Sequence, residues 1–152
     1  MNKIRREITI DARMDKVFEF LANPNNLPEI WPNVLEVKNI TPSKVSGAFD
    51  FDWAYSMAEV RLDARAETVK YHQYDSLEVK SQNGLESAIG WKLAPNGGKG
   101  TRLTLEMGYE IPDALADKAA AQKIIQENER HVDDMLENLK KSVEAETAYA
   151  GA

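Results

Sequence analysis

The chain of 152 residues contains no cysteine and only two histidines. Without cysteine it cannot form a disulfide scaffold, supply a thiolate nucleophile or hold an iron–sulfur cluster or a cysteine-based metal site. The two histidines, His72 and His131, lack the spacing of metal ligands and do not make up a cluster. The sequence therefore predicts neither a metal site nor a bound cofactor.

Positive charge and long apolar segments are also scarce. Lysine and arginine number 19 against 25 aspartates and glutamates, a formal net charge of −6, whereas phosphate binding requires clustered basic side chains. Apolar runs extend over a few residues, and a membrane-spanning helix needs about 20. The first residues interleave charges with isoleucines and lack the pattern of a secretory signal. We therefore expect a cytoplasmic protein with no nucleic-acid partner and no membrane span.

What the sequence does contain is a series of segments in which apolar and polar residues alternate. In segment 49–57, large apolar or aromatic side chains alternate with small or polar ones, and in segment 59–67 charged residues alternate with valine, leucine and alanine. Such alternation is typical of antiparallel strands with one buried and one solvated face. Asn83-Gly84 predicts a two-residue hairpin turn. Further strands are predicted at residues 4–10, 34–40, 71–82, 85–93 and 101–111.

Helical spacing of apolar residues is found after the first strand. Asp11 is the predicted N-cap of a short amphipathic helix whose buried side carries Val17, Phe18 and Leu21. Asn23-Pro24 ends this helix, and a second compact segment follows before the second strand. The sequence thus predicts two short helices between strands 1 and 2.

The longest predicted element is a helix from about residue 113 to residue 145, where apolar residues recur at helical spacing. Roughly 30 residues give a helix of about 45 Å, longer than any predicted strand. The helix must therefore lie across the whole sheet. We expect residues 1–146 to form a single domain and residues 147–152 to be a frayed tail.

The aromatic face of the sheet predicts a cavity beneath this helix. A wide sheet curls, and a straight helix laid across it touches the rims more readily than the middle. Apolar walls with sparse polar groups describe a ligand site, although the same aromatic side chains can also pack together as a solid core. The candidate ligand-binding residues are Trp31, Phe51, Trp53, Tyr55, Met57, Leu62, Ala64, Trp91, Met107, Tyr109, Asn128 and His131.

The polar members of this set leave alternatives open. Asn128 and His131 are neighbours on one face of the helix; Asn128 is a potential hydrogen-bond donor to a ligand carbonyl. His131 is either a general acid or base or a solvated helix residue among acidic ones. Tyr55 and Tyr109 are either ligand contacts or packed core residues with satisfied hydroxyls. Because the charges of segment 59–67 all face outward, we expect no carboxylate-driven enzyme, and no catalytic residue is assigned.

A family resemblance rests on several short motifs in a characteristic order. They are Val17-Phe18-Glu19-Phe20-Leu21, the turn Asn23-Pro24 to Trp31-Pro32 with Val34 and Val37 after it, Gly47 followed by Trp53 and Met57, Trp91, and Gly100-Thr101. Over roughly residues 1–145 the chain resembles the START-like helix-grip superfamily, in its polyketide cyclase/dehydrase and lipid-transport branch. The resemblance implies an α+β helix-grip fold, in which a curved antiparallel sheet of about seven strands wraps around a long C-terminal helix.

The same resemblance implies a deep cavity for a lipid, polyketide, quinone or other aromatic molecule. The superfamily has no invariant catalytic motif, so it transfers no active residue, and the fold does not fix the function. Three functions remain open: binding of a hydrophobic small molecule, cyclase- or dehydrase-like catalysis of aldol ring closure or dehydration, and docking of a partner protein at the cavity mouth. We expect a monomer or a homodimer.

Overall fold

The computed structural model describes the backbone of residues 1–151 and the side chains of residues 1–146. Within this described part of the chain, seven strands, three α-helices and two short 3-10 turns follow one another. The elements in order are β1 (Asn2–Ile10), α1 (Met14–Ala22), a 3-10 turn (Pro24–Asn26), α2 (Leu27–Ile30), β2 (Val34–Pro42), β3 (Phe49–Met57), β4 (Val60–His72), β5 (Ser76–Gln82), β6 (Ser87–Pro95), β7 (Thr101–Tyr109), a 3-10 turn (Asp113–Leu115) and α3 (Ala121–Gly151).

The seven strands form one antiparallel sheet in the order β1-β7-β6-β5-β4-β3-β2. Strands β2 to β7 are a meander, and β1 returns to the far edge, where it pairs with β7 from Asn2↔Tyr109 to Ile10↔Thr101. The two short helices cross between β1 and β2, which lie at opposite edges of the sheet. This is the predicted α+β helix-grip arrangement, and it is confirmed.

Register shifts bend the sheet at its β2–β5 side. They occur in β2 between Val34 and Glu36 and between Lys38 and Thr41, and in β4 between Thr68 and Lys70. A bulge inserts an unpaired residue and increases the local twist and bend of the strand. We therefore expect β2 and β4 to be more strongly twisted and bent than the regularly paired strands β1, β6 and β7.

Helix α1 begins later than the sequence predicts. Its first residue is Met14, and Arg13 occupies the N-cap position without a side-chain capping bond. Asp11, the predicted N-cap, instead donates its backbone N–H to Glu144 Oε2 on α3 at 2.9 Å. The N-cap prediction was wrong because this segment makes a tertiary contact with the long helix.

Strand β4 is longer than predicted, and the boundary around residues 71–82 was wrong. Tyr71 and His72 end β4, and the chain turns at Tyr74, which has a φ of 65°. This turn contains neither glycine nor proline, the residues by which a turn is usually predicted. Strand β5 then begins at Ser76.

The Asn83-Gly84 turn was predicted correctly in conformation and wrongly in length. Both residues have positive φ, 62° and 135°. However, β5 ends at Gln82 and β6 begins at Ser87, so residues 83–86 all belong to the connection. Leu85, within it, is almost fully buried, and the wider loop allows this side chain to reach the core.

The long helix α3 begins at Ala121, several residues after the predicted start. Residues 113–115 form a separate 3-10 turn that places Leu115 in the core. The Ala120 carbonyl then accepts the backbone N–H groups of Lys123 and Ile124, which starts the helix. The predicted single-domain limit of 1–146 stays a prediction. So does the frayed tail, because the side chains of residues 147–151 and all of residue 152 lie outside the described residues.

Helix α3 is fixed to β1 and α2 by polar contacts as well as by its buried stripe. Arg6 Nε donates to Asp133 Oδ1 at 2.8 Å, and Lys140 Nζ donates to the Thr9 carbonyl at 3.0 Å. On the other side, Asn138 Nδ2 donates to the Ile30 carbonyl at 2.9 Å. The residues of the buried stripe of α3 are Ile124, Asn128, Val132, Met135, Leu136, Leu139 and Val143.

Among the described residues no helix has the length and apolarity required to cross a membrane.

Candidate functional site

An apolar cavity lies between the concave face of the sheet and the α1–α2 segment. The volume of this cavity is about 40 Å³. As it stands the cavity has room for a few water molecules, and a larger guest requires its walls to move apart. The residues that line it include Trp31, Phe51, Trp53, Ala66, Tyr71 and Trp91.

The position of this cavity corrects the sequence-based expectation that it lies beneath the C-terminal helix. Among the described residues of α3, none lines it. Val132, Met135 and Leu139 of the helix have essentially no exposed surface, because they pack directly on the sheet. The open space is instead where α1 and α2, which are short, cover the bent part of the sheet.

Among the residues that the structure describes, no charged side chain lies on the cavity wall. The three aliphatic hydroxyls on the wall, those of Thr68, Ser81 and Ser87, all take part in hydrogen bonds within the protein. Thr68 Oγ1 donates to the Phe49 carbonyl at 2.7 Å, and Ser81 Oγ donates to the Leu85 carbonyl at 2.8 Å. Ser87 Oγ lies 2.7 Å from Ser81 Oγ and, since the Ser81 proton is used, is the donor of that pair. The wall is therefore apolar, uncharged and poor in free hydroxyl donors.

All three tryptophans of the chain line the cavity. The Trp31 and Trp53 rings lie with centroids 6.1 Å apart at an interplanar angle of 53°. Their indole Nε1 atoms are buried and have no hydrogen-bond partner. Buried donors without a partner are rare and costly.

A second, polar cluster lies deeper, behind Trp31. The Tyr55 hydroxyl donates to Asn128 Oδ1 at 3.2 Å, which leaves Asn128 Nδ2 and the Tyr109 hydroxyl unpaired and buried. Burial, reinforced by the neighbouring Tyr109, raises the pKa of Tyr55 although the Trp31 indole opposes the shift. Burial also raises the pKa of Tyr109, while the nearby Asn128 amide opposes it; that amide is close to the hydroxyl without reaching hydrogen-bond geometry. Both phenols therefore stay protonated.

His131 is half-buried on α3, with its Nδ1 atom enclosed and unpaired. Burial lowers its pKa, and Arg130 adds to the shift, while Asp134 and Glu127 oppose it. The imidazole is therefore neutral at neutral pH. Because it lies off the cavity wall, the structure gives it no substrate-facing position.

The structure brings four of the twelve candidate residues to the cavity: Trp31, Phe51, Trp53 and Trp91. The other eight candidates lie away from the cavity. The inward-facing side of β3 and β7 extends beyond the cavity into the region that α3 covers. A ligand-binding role for them stays a prediction. These residues are Tyr55, Met57, Leu62, Ala64, Met107, Tyr109, Asn128 and His131.

Sequence reasoning missed the part of the wall contributed by α1–α2 and by β4–β6. The missed strand residues lie at the inward-facing positions of the alternating pattern. These positions could not be recognised once residues 71–82 were assigned to one strand. Phe49 was expected on the buried face and lies at the mouth, 42% exposed. Ala66 was expected on the buried face and does line the cavity. The missed residues are Leu21, Ala22, Pro24, Leu27, Ala48, Thr68, Tyr71, Leu77, Val79, Ser81, Ser87 and Ile89.

Comparison with known families decides the assignment. The family described as polyketide cyclase / dehydrase and lipid transport matches residues 1–144. The chain belongs to this family. Among curated proteins none matches the chain. Membership of the polyketide cyclase / dehydrase and lipid transport family confirms the resemblance found in the sequence, and it supports a role in hydrophobic-ligand binding or cyclase chemistry.

Solved structures share the fold over nearly the whole chain. The Zhui aromatase/cyclase from Streptomyces sp. R1128 superposes with a TM-score of 0.80 at 16% identity, covering 99% of this chain and 98% of that one. The protein TTHA0849 from Thermus thermophilus gives 0.76 at 19% identity, covering 95% and 98%. A START superfamily protein from Mycobacterium smegmatis gives 0.72 at 11% identity, covering 93% and 98%. At these identities the likeness shows the fold alone.

Proposed function

We propose that this protein binds a hydrophobic small molecule of aromatic character in the cavity between the sheet and the α1–α2 segment. The observation that supports this most directly is the composition of the wall, in which aromatic and aliphatic side chains surround the space and no side chain is charged. Burial of apolar surface gives about 25 cal/mol for each Å² removed from water. An apolar guest therefore gains affinity over its whole surface.

Catalysis of ring closure is the second candidate, favoured by the likeness to the Zhui aromatase/cyclase. An aldol closure requires a group that removes or delivers a proton close to the reacting atoms. The described residues of the cavity wall include no aspartate, glutamate, histidine, lysine or arginine, and Tyr71 is the one ionisable side chain among them. Binding is therefore the better supported function. Docking of a partner at the mouth, the cytoplasmic location and the oligomeric state stay predictions.

The three tryptophans make the proposal directly measurable, since every tryptophan of the chain lies on the cavity wall. We expect 1,4-naphthoquinone, a small planar quencher, to quench the intrinsic fluorescence along a saturating curve with one site per chain. The melting temperature should rise in parallel, because a ligand that binds only the folded state stabilises it. Free N-acetyltryptophanamide, measured under the same conditions, provides the collisional control.

Quenching that stays linear like that of the control, together with an unchanged melting temperature, would argue against the cavity as a binding site for this class. The cyclase alternative is tested in the same samples. A linear poly-β-ketone probe is incubated with the protein, extracted and weighed by mass spectrometry. Protein-dependent loss of one water from the probe, faster than in buffer, would favour the enzyme.

A further inference from the structure

We propose that the loop between β6 and β7 contains a modification site, at which Asn96 loses its side-chain amide without an enzyme and becomes aspartate or isoaspartate, whereas the fold protects Asn83. Each of these asparagines precedes a glycine, Asn83-Gly84 in the loop between β5 and β6 and Asn96-Gly97 in the loop between β6 and β7. Neither asparagine lines the cavity, so the reaction does not depend on the proposed function. The two dipeptides have the same chemistry, and the fold restrains them differently.

The reaction starts at the backbone nitrogen that follows the asparagine. The Gly97 nitrogen gives up its proton to solvent and attacks Cγ of Asn96, and the new N–Cγ bond closes a five-membered succinimide ring. The Cγ–Nδ2 bond breaks, and the nitrogen takes up a proton from solvent and leaves as ammonia. Water then opens the ring at either of its two carbonyls, which gives aspartate or isoaspartate. Glycine in the second position favours the attack, because it has no Cβ to obstruct ring closure.

Accessibility does not distinguish the two sites. Both asparagines and the glycines that follow them are exposed. Among the described residues, neither the Gly84 N–H nor the Gly97 N–H donates a backbone hydrogen bond, so water and the attacking nitrogen are available at both. The ring closes only after the peptide plane between the two residues has rotated and the nitrogen faces Cγ. The freedom of each loop to make this rotation therefore decides the rate.

The loop between β5 and β6 opposes this rotation at Asn83. Asn83 is left-handed, with a φ of 62°, and Gly84 lies so close to β4 that a Cβ atom on it would collide with the Asp63 carbonyl oxygen. The next residue, Leu85, is 1% exposed, and its carbonyl accepts the Ser81 hydroxyl at 2.8 Å. Turning the 83–84 peptide plane drives Gly84 into the Asp63 backbone or pulls Leu85 out of the core. The loop must therefore open locally before Asn83 reacts.

Among the described residues no comparable restraint acts on the loop between β6 and β7. Gly97 and Gly98 have φ angles of 65° and 50°, and a Cβ atom on either would meet no other group within 4 Å. Two backbone hydrogen bonds close the loop, from the Asn96 N–H to the Gly100 carbonyl and from the Gly100 N–H to the Gly97 carbonyl, both at 3.1 Å. Neither bond uses the Asn96 carbonyl or the Gly97 N–H. The 96–97 peptide plane can therefore turn while the loop stays closed.

Peptide mapping measures both sites in one sample. The native protein is incubated in mildly alkaline buffer made with H₂¹⁸O, and then digested with trypsin in ordinary water. Cleavage after Lys80, Lys92 and Lys99 places the two asparagines in separate peptides, residues 81–92 and residues 93–99. Mass spectrometry detects the replacement of the amide NH₂ by a hydroxyl, and the ¹⁸O label separates this reaction from deamidation during the digest.

We expect Asn96 to deamidate at least about tenfold faster than Asn83 in the native protein. In guanidinium chloride, where both loops are unfolded, the two rates should lie within about threefold of each other. A protein isoaspartyl methyltransferase with labelled S-adenosylmethionine should methylate the aged native protein, and should leave equally aged Asn96→Ser nearly unlabelled. Equal rates at the two sites in the native protein would overturn the proposal. So would a difference that persists unchanged in guanidinium chloride, since it would then come from the local sequence.

The variant Ser81→Ala tests the cause of the protection, because it removes the hydrogen bond from the Ser81 hydroxyl to the Leu85 carbonyl. Asn83 should then deamidate about three- to tenfold faster, the size of one hydrogen bond, while the rate at Asn96 is unchanged. An unchanged rate at Asn83 in the folded variant would overturn the restraint of this loop as the cause. The comparison in the native protein requires no substitution, so it decides between the two sites even if Ser81→Ala does not fold.

Discussion

At the scale of single residues, the buried phenols Tyr55 and Tyr109 differ in one respect. Both are at most 1% exposed. The Tyr55 hydroxyl is hydrogen-bonded to Asn128, whereas the Tyr109 hydroxyl has no partner. Removing one member of a buried hydrogen bond leaves the other member unsatisfied, while removing an unpaired hydroxyl leaves nothing behind. The two phenols thus provide a matched pair of substitutions with different expected costs.

We expect Tyr55→Phe to lower the free energy of unfolding by about 1–3 kcal/mol, because Asn128 Oδ1 loses its donor. Tyr109→Phe should change it by less than about 0.5 kcal/mol in either direction. Urea unfolding followed by circular dichroism measures both values. A cost for Tyr109→Phe as large as that for Tyr55→Phe would show that the Asn128 amide is bonded to Tyr109 after all.

The second residue-scale prediction concerns His131, whose pKa burial lowers in the folded chain. Such a histidine takes up its proton more readily when unfolded, so the protein loses stability as the pH falls below the unfolded value of about 6.5. His131→Gln should therefore reduce the loss of unfolding free energy between pH 7.5 and pH 5.5. His72→Gln is the control, because His72 is exposed. An equal pH dependence in native protein and His131→Gln would contradict the prediction.

At the scale of elements, the sequence predicted every strand and helix, and the errors lie at their ends. Alternation and helical spacing report which residues are buried, and burial is periodic inside an element. Boundaries depend on contacts that are distant in sequence. Asp11 illustrates this, since its N–H bonds to Glu144 rather than capping α1. Tyr74 is a second case, because it turns left-handed without any local signal of glycine or proline.

The loop between β5 and β6 carries a prediction of its own. Gly84 has a φ of 135°, and a Cβ atom there would collide with the Asp63 backbone carbonyl. Gly97, in the loop between β6 and β7, has a φ of 65° and open space around it. Gly84→Ala should therefore cost at least about 3 kcal/mol of unfolding free energy, and Gly97→Ala about 1 kcal/mol.

Thermal and urea unfolding of the two alanine variants distinguish these costs. The comparison controls for the loss of unfolded-state freedom, which is the same glycine-to-alanine change in both. Similar stabilities for the two variants would mean that the loop at residues 83–86 relaxes away from Asp63. That outcome would remove the constraint that keeps Leu85 in the core.

At the scale of the whole molecule, the sequence predicted that a cavity exists and placed it under the wrong helix. Length alone put α3 across the sheet, which is correct. Whether a helix closes on a sheet depends on how its side chains fill the concavity, and the small and large residues of α3 fill it completely near Val132, Met135 and Leu139. The space remains under α1 and α2, where β2 and β4 are bent by register shifts. Such packing cannot be read from periodicity.

If the space under α1 and α2 holds the ligand, filling it must abolish binding without unfolding the protein. Ala66 lies on the cavity wall of β4 opposite Phe51 and is 2% exposed. In Ala66→Leu the added carbons occupy the cavity, so we expect the affinity for 1,4-naphthoquinone to fall at least about tenfold, and the unfolding free energy to change by less than about 2 kcal/mol.

Ala88→Leu is the matched control for this experiment, because Ala88 lies on β6 between two wall residues, Ser87 and Ile89, and points to the other face of the sheet. It makes the same change in composition and should leave the affinity intact. Fluorescence titration measures both variants. Undiminished binding by a folded Ala66→Leu would place the ligand elsewhere on the molecule, since a guest and three added carbons cannot share a space this narrow.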